Sequence, residues 1–246
     1  MPRACWAASR GNCSTKMSGE HVLTEGLFFD RMLSVQGFKR PLPPKVSRDS
    51  LKAKVLCKTH NSDLAPLDDE AIRLTNALRE HIRATSPTQS QVSIDGWKME
   101  RWCTKTGIGL LASKWLGDRP FFPDAGMVNV AFGEHRLPDD CGLYVVKKPA
   151  ITLHNDADQF RWIHLTDAEN EVLTHGFIFQ LFGFGLLIAT TRGDPTAALR
   201  TMPDRKDGLD WTTAEVSHRP LSMDSVFSRT SWQADREARL TIKFVW

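Results

Sequence analysis

Leu67, Ala71, Leu74, Leu78 and Ile82 recur at spacings of four, three, four and four. Those intervals place all five on one face of an α-helix, since about 3.6 residues complete a turn. Pro66 suits the first turn of such a helix, Asp68, Asp69 and Glu70 its positive end, and Arg79, His81 and Arg83 its negative end. A second helix is predicted over about Trp97 to Leu116, with Met99, Cys103, Thr106 and Leu110 on one side and Gly107 and Gly109 interrupting it. The pattern then changes to short runs of Val, Ile, Leu, Phe and Trp: Gly142 to Val146, Phe160 to Leu165, Val172 to Phe182, Leu186 to Thr191 and Leu240 to Trp246. Separated by turns, these read as strands, so the expected fold class is α+β, with a helix packed on a mainly antiparallel sheet. The most apolar stretch, Gly176 to Ala189, is broken by Gln180, Gly183 and Gly185 and reads as core strands, not a membrane span. Ahead of Asn61 no period is visible, and Gly11, Gly19, Gly26, Gly37 and the run Pro41-Leu42-Pro43-Pro44 predict loops with few apolar side chains to bury.

Composition adds limits. With 246 residues, 41% hydrophobic and 25% charged, the chain is long enough for one or two cores and is neither disordered, collagen-like nor a coiled coil. Residues 84–91, with Thr85, Ser86, Pro87, Thr88 and Ser90, have linker composition and mark the expected boundary between a domain 1–84 and a domain 92–246. The net charge of +3 conceals an uneven distribution: 11 bases against 4 acids in residues 1–60 make +7, and 21 bases against 25 acids in residues 61–246 make −4. A basic first quarter suits a polyanionic partner. Three of the five cysteines, Cys5, Cys13 and Cys57, share that quarter, and the opening residues contain no apolar signal region. A reducing, cytoplasmic location is therefore expected, with the cysteines as thiols or metal ligands.

Cys5, Cys13, Cys57 and His60 are candidate ligands of a structural zinc ion. The Cys57-x2-His60 pair has good knuckle spacing; Cys5 and Cys13 enclose seven residues, more than the two to four usual in a knuckle. Between the pairs stands Glu20-His21, and Asn61 follows the second pair directly. On these residues the first 65 or so positions resemble the zinc-stapled HNH endonucleases, also called ββα-metal or His-Me finger nucleases. The resemblance implies a small ββα-metal domain in which His21 is the general base toward water, a role suited to an imidazole. It implies that Glu20 and Asn61 hold one catalytic Mg²⁺ or Mn²⁺ through oxygen atoms, and that Cys5, Cys13, Cys57 and His60 hold zinc separately. The implied activity is hydrolysis of phosphodiester bonds in DNA, with RNA a second candidate substrate and no membrane partner. Two further departures accompany the long Cys5 to Cys13 interval: Glu20 replaces the family's more usual Asp, and the bracing Asn before the second knuckle has no counterpart among Asp49, Ser50, Lys52 and Lys54. They keep open the alternative of a catalytically inactive nucleic-acid-binding or protein-interaction module, with a protein partner on the C-terminal domain.

The basic residues Lys39, Arg40, Lys45, Arg48, Lys52, Lys54 and Lys58 fall between His21 and the second knuckle, where a phosphodiester backbone would have to run. Arg31 could add a contact, and apolar packing is the expected role of Phe28 and Phe29. Glu100, Arg101 and Lys105 on the second helix are expected to form surface ion pairs. His154, His164, His175 and His218 lack ligand spacing and read as ordinary polar side chains. Trp97, Trp102, Trp115, Trp162 and Trp246 read as core, whereas Trp6, Trp211 and Trp232 have no assigned place.

Overall fold

In the computed structural model of the chain, Leu67, Ala71, Leu74 and Leu78 lie buried along one face of a 26-residue helix, α1 (Lys58–Arg83). The structure describes residues 5–37, 45–83, 89–113, 121, 123–147, 159–166, 174–182, 184–192, 215–226 and 239–246. Helix α1 starts eight residues before Pro66, so Pro66 and the acids Asp68, Asp69 and Glu70 occupy its interior, not its first turn. The start is displaced because the Cys57 to Asn61 turn is already helical, with the Asn61 N–H on the Cys57 carbonyl at 3.0 Å. Pro66 is exposed, where water can satisfy the carbonyl its ring leaves unpaired.

Four short strands precede α1: β1 (Glu20–His21), β2 (Met32–Gln36), β3 (Val46–Ser47) and β4 (Lys52–Ala53). After it come β5 (Gln89–Asp95), α2 (Gly96–Ala112), α3 (Ala125–Phe132), β6 (Gly142–Lys147), β7 (Gln159–Thr166), β8 (Thr174–Leu181), β9 (Phe184–Ala189), β10 (Glu215–His218), β11 (Ser222–Val226) and β12 (Arg239–Val245). The largest sheet has seven strands in the order β10-β6-β9-β8-β7-β2-β3, antiparallel throughout except for the parallel β2–β7 pair. A three-stranded sheet, β11-β12-β5, and the antiparallel β1–β4 pair complete the described strands. The expected α+β class with a mainly antiparallel sheet is what the molecule has.

Residues 89–91 were expected in a linker and instead begin β5, pairing in parallel with β12 from Arg239↔Gln89 onward. Gln89, Ser90 and Gln91 are polar because that end of the strand is exposed on both faces; the partner's backbone, not burial, makes it a strand. Asp95 then caps α2, its carboxylate accepting from the Lys98 N–H at 3.0 Å. Gly107 has a packing reason, since a Cβ there would run into the Phe177 ring of β8. The large sheet alternates strictly: Leu143 and Val145 of β6 face the main core with α2, whereas Tyr144 and Val146 join a smaller apolar cluster with Ile178 and Leu187.

The main core is continuous across the expected boundary. One cluster contains Cys5, Trp6, Leu23, Leu27 and Phe28 together with Leu74, Trp102, Phe160, Phe179 and Phe244. The first quarter therefore buries more apolar surface than its loop-rich sequence suggests, and Trp6 gains a place, 4% exposed and edge-on to Phe132 at 6.0 Å. Trp102 and Trp162 are fully buried, as expected of core tryptophans. Glu100, Arg101 and Lys105 of α2 do not form the expected surface pairs. Glu100, 2% exposed, accepts from the Leu143 N–H at 3.0 Å and from Arg219 at 3.1 and 3.2 Å. Lys105 donates to both oxygens of Asp68 at 2.8 and 2.7 Å, and Arg101 Nε donates to the Ala131 carbonyl at 3.1 Å. A buried helix cannot leave a charge unpaired, so the partners come from other elements. Among the described residues no helix is long and apolar enough to cross a membrane.

Candidate metal centre and the histidine beside it

Cys5 and Cys13 reach one point because the chain between them folds back. A 3₁₀ turn at Ala8–Arg10 is followed by Gly11 and Asn12 at positive φ (76° and 53°), which reverses the direction. The returning chain runs along the second knuckle: Met17 bridges Cys57, the Ser18 N–H donates to the Leu56 carbonyl at 2.8 Å and the Lys58 N–H to the Lys16 carbonyl at 3.0 Å. Trp6 N–H donates to the Val55 carbonyl at 3.0 Å, tying the first cysteine to the same segment.

The Sγ atoms of Cys5, Cys13 and Cys57 and a ring nitrogen of His60 all lie within 4.8 Å of one another. His60 Nδ1 stands 3.4 Å from Cys5 Sγ, 3.7 Å from Cys13 Sγ and 3.4 Å from Cys57 Sγ. With Zn–S near ~2.3 Å and Zn–N near ~2.0–2.1 Å, a tetrahedral angle sets a sulfur and a nitrogen about 3.5 Å apart. The four side chains could therefore hold a structural metal such as zinc. The long interval between the first two cysteines is no obstacle once the 3₁₀ turn absorbs it. Three of the four are buried, and the His60 ring is braced edge-on by Phe132 of α3 at 5.5 Å. Burial pushes the Cys5 thiol up to about 12 and raises Cys13 as well. At Cys57 burial also pushes upward, but hydrogen bonds from the backbone N–H groups of His60 and Ser14 and from the Ser14 hydroxyl outweigh it and bring the thiol to about 7. Cys57 is thus the readiest thiolate, and metal binding would displace protons from the other two.

His21 is not drawn into this cluster. It lies on β1 opposite Lys52 of β4, and Glu20 stands opposite Ala53. The side chain is 12% exposed between two carboxylates: Nδ1 is 3.4 Å from Glu25 Oε2, and Nε2 is 3.9 Å from Asp49 Oδ1. Nε2 is buried and has no hydrogen-bond partner among the described residues. Burial lowers the imidazole pKa, with Lys52 and Arg48 adding to the effect and Glu25 and Asp49 opposing it, so the ring is neutral at pH 7. Asn61 sits half-buried on the first turn of α1, one residue past His60.

The basic residues divide. Lys39 and Arg40 lie outside the described residues, and Lys45, Lys54 and Lys58 are exposed. Arg48 is committed to Glu25 (3.1 Å) and to the Phe28 carbonyl (3.2 Å), and Lys52 to Asp49 (2.8 Å). Glu25 and Asp49 were not among the expected site residues. Glu25 is four positions after His21 and could have been found by proximity; Asp49 is brought in only by the β1–β4 pairing. Below this site Thr24 anchors the loop to both helices, donating to Asp68 at 2.5 Å and accepting from Trp102 Nε1 at 3.0 Å.

Compared with protein-family models, with curated proteins and with solved structures, the chain matches none.

Proposed function

We propose that the chain is a metal-dependent HNH-type endonuclease that hydrolyses phosphodiester bonds of DNA, with a zinc-stapled ββα unit at its N-terminal end. The observation that carries this reading is the position of His21: on a strand pair followed by a helix that Cys57 directly precedes and whose first turn bears His60, yet outside the candidate metal cluster itself. Strand β1, strand β4 and helix α1 follow in the order that the HNH resemblance implies.

His21, neutral at pH 7, accepts the proton of a water molecule as its oxygen forms the new bond to phosphorus. The ester P–O bond breaks in line with the attack, and solvent protonates the departing alkoxide. Glu20 and Asn61 would offer the oxygen donors that a hard divalent cation requires, and the carboxylates beside His21 are those of Glu25 and Asp49. When bound, Mg²⁺ or Mn²⁺ would neutralise charge on the phosphate and the leaving oxygen. Exposed Lys45, Lys54 and Lys58 supply sequence-independent affinity for the backbone.

The test is nicking of supercoiled plasmid by zinc-loaded protein with Mg²⁺ or Mn²⁺. His21→Ala should slow it roughly 10²- to 10⁴-fold while zinc content stays the same. Absence of cleavage of both plasmid and single-stranded DNA with every divalent metal rejects the activity. The alternative, an inactive nucleic-acid-binding module, is favoured by one feature: Glu25 and Asp49 flank both imidazole nitrogens and are themselves paired with Arg48 and Lys52. Salt-dependent DNA binding unchanged in His21→Ala, without cleavage, would identify it.

A further inference from the structure

Phe28 and Phe29, both expected to pack, have opposite surroundings. Phe28 is 3% exposed and edge-on to Phe160 at 6.1 Å, whereas Phe29 is 65% exposed and Met32, on the same segment, 46%. A single exposed apolar side chain needs no explanation. This one stands among cations: the guanidinium carbon of Arg83 is 4.9 Å from the Phe29 ring centroid and that of Arg79 is 5.8 Å. Arg79 is held there by donating to the Leu27 carbonyl at 2.6 Å and to Asn76 Oδ1 at 3.0 Å. Arg31, two positions on, is exposed.

The same loop is wired to His21. Glu25 lies 3.4 Å from the imidazole and 3.1 Å from Arg48; Arg48 in turn donates to the Phe28 carbonyl through its side chain and to the Arg31 carbonyl through its N–H at 2.8 Å. Phe29 is therefore set in position by the residues that surround the proposed catalytic base.

We infer that Phe29 is a stacking platform for an unpaired base of single-stranded nucleic acid, with Arg83 beside it for a flanking phosphate. This rests on the nucleic-acid reading of the basic segment and extends it to a substrate class. A duplex hides its base faces, so an exposed ring serves only a strand whose bases can splay out. Guanidinium groups next to a flat apolar ring match the chemistry of a nucleotide, where a π face and a phosphate lie side by side. A protein partner would ask instead for a wider apolar patch, and on this segment Phe29 and Met32 are the large apolar side chains exposed among the described residues.

The experiment is fluorescence anisotropy of the full, zinc-loaded chain with labelled oligothymidylate and with a duplex of equal length, without Mg²⁺ or Mn²⁺. Phe29→Ala and Phe29→Leu should each weaken oligothymidylate binding roughly ten- to a hundredfold, and Phe29→Trp should restore it. Duplex binding should change less than about twofold. Arg83→Gln should flatten the salt dependence, which the Phe29 variants leave alone. Equal loss on both probes, unchanged binding in Phe29→Ala and Phe29→Leu, or a fall in solution mass on Phe29→Ala that marks the ring as a self-association contact would each overturn the assignment. Because no cleavage is read, a failed plasmid assay leaves this result standing, and active nicking with unchanged Phe29 variants rejects stacking alone.

Discussion

The first quarter, with its candidate metal site, and the seven-stranded sheet reach stability by different means. In the sheet, β6 to β9 run six to eight residues each, and their alternating side chains are apolar on both faces. In the first quarter, β1 and β4 are two residues each, a pairing that is marginal in water by itself. Four side chains that could hold a metal, and a handful of backbone hydrogen bonds, converge where regular structure is sparse. Yet the two regions share a core and a strand: β2 extends the large sheet beside β7, and Thr24, Asp68, Lys105 and Trp102 form one bonded group beneath His21. Local order can depend on metal even where global burial does not.

The sharpest way to break that contrast is to remove the metal. Chelation, or Cys57→Ala, forfeits a binding free energy of order ~10 kcal/mol. Amide exchange at Trp6, Ser18 and Lys58, which bond across the knuckles, should accelerate by orders of magnitude while β6 to β9 stay protected. Simultaneous loss in both regions would show one cooperative unit instead. Next in size is the reverse perturbation. Glu100→Ala leaves the buried Leu143 N–H without its acceptor and the half-buried Arg219 without its carboxylate, and urea unfolding should show a loss of about 3–5 kcal/mol without a change in metal content. Glu100→Gln, which keeps an acceptor, should lose less.

The smallest effect is the dependence on pH. Burial lowers the folded pKa of His21, so the unfolded chain takes up the proton first. The stability this group contributes is fully present above its ordinary value of about 6.5 and is lost as pH falls toward the lowered folded value. Wild type should therefore lose more stability than His21→Gln between about pH 8 and about pH 5, read as urea midpoints. Equal slopes would mean that His21 does not titrate differently in the folded protein.

Much of the helix and strand content was legible because it rests on local period. Leu67 to Leu78 announce α1, and the run from Gly142 to Val146 announces β6. The start of α1 was misplaced because Pro66 and three acids imitate a first turn, whereas the knuckle at Cys57 begins the helix earlier. Strand β5 was invisible, since Gln89, Ser90 and Gln91 acquire strand form only from pairing with β12 at the far end of the chain. The candidate metal ligands were legible as a set, because cysteine and histidine declare their chemistry by identity. The surroundings of His21 were not: Asp49 arrives through β-pairing, and nothing in the string Phe28-Phe29 tells which ring faces solvent.

The sequence by itself determined the class of fold, the apolar face of α1 and the four side chains able to hold a metal, all of which follow from residue type and short-range spacing. Tertiary structure alone decided that Cys5 and Cys13 converge with the second knuckle, that Glu100 and Lys105 are paired in the core and not at the surface, and that His21 stands between two carboxylates. The reason is physical: each depends on contacts between segments far apart in the chain, and which contacts form is settled by the packing of the whole core.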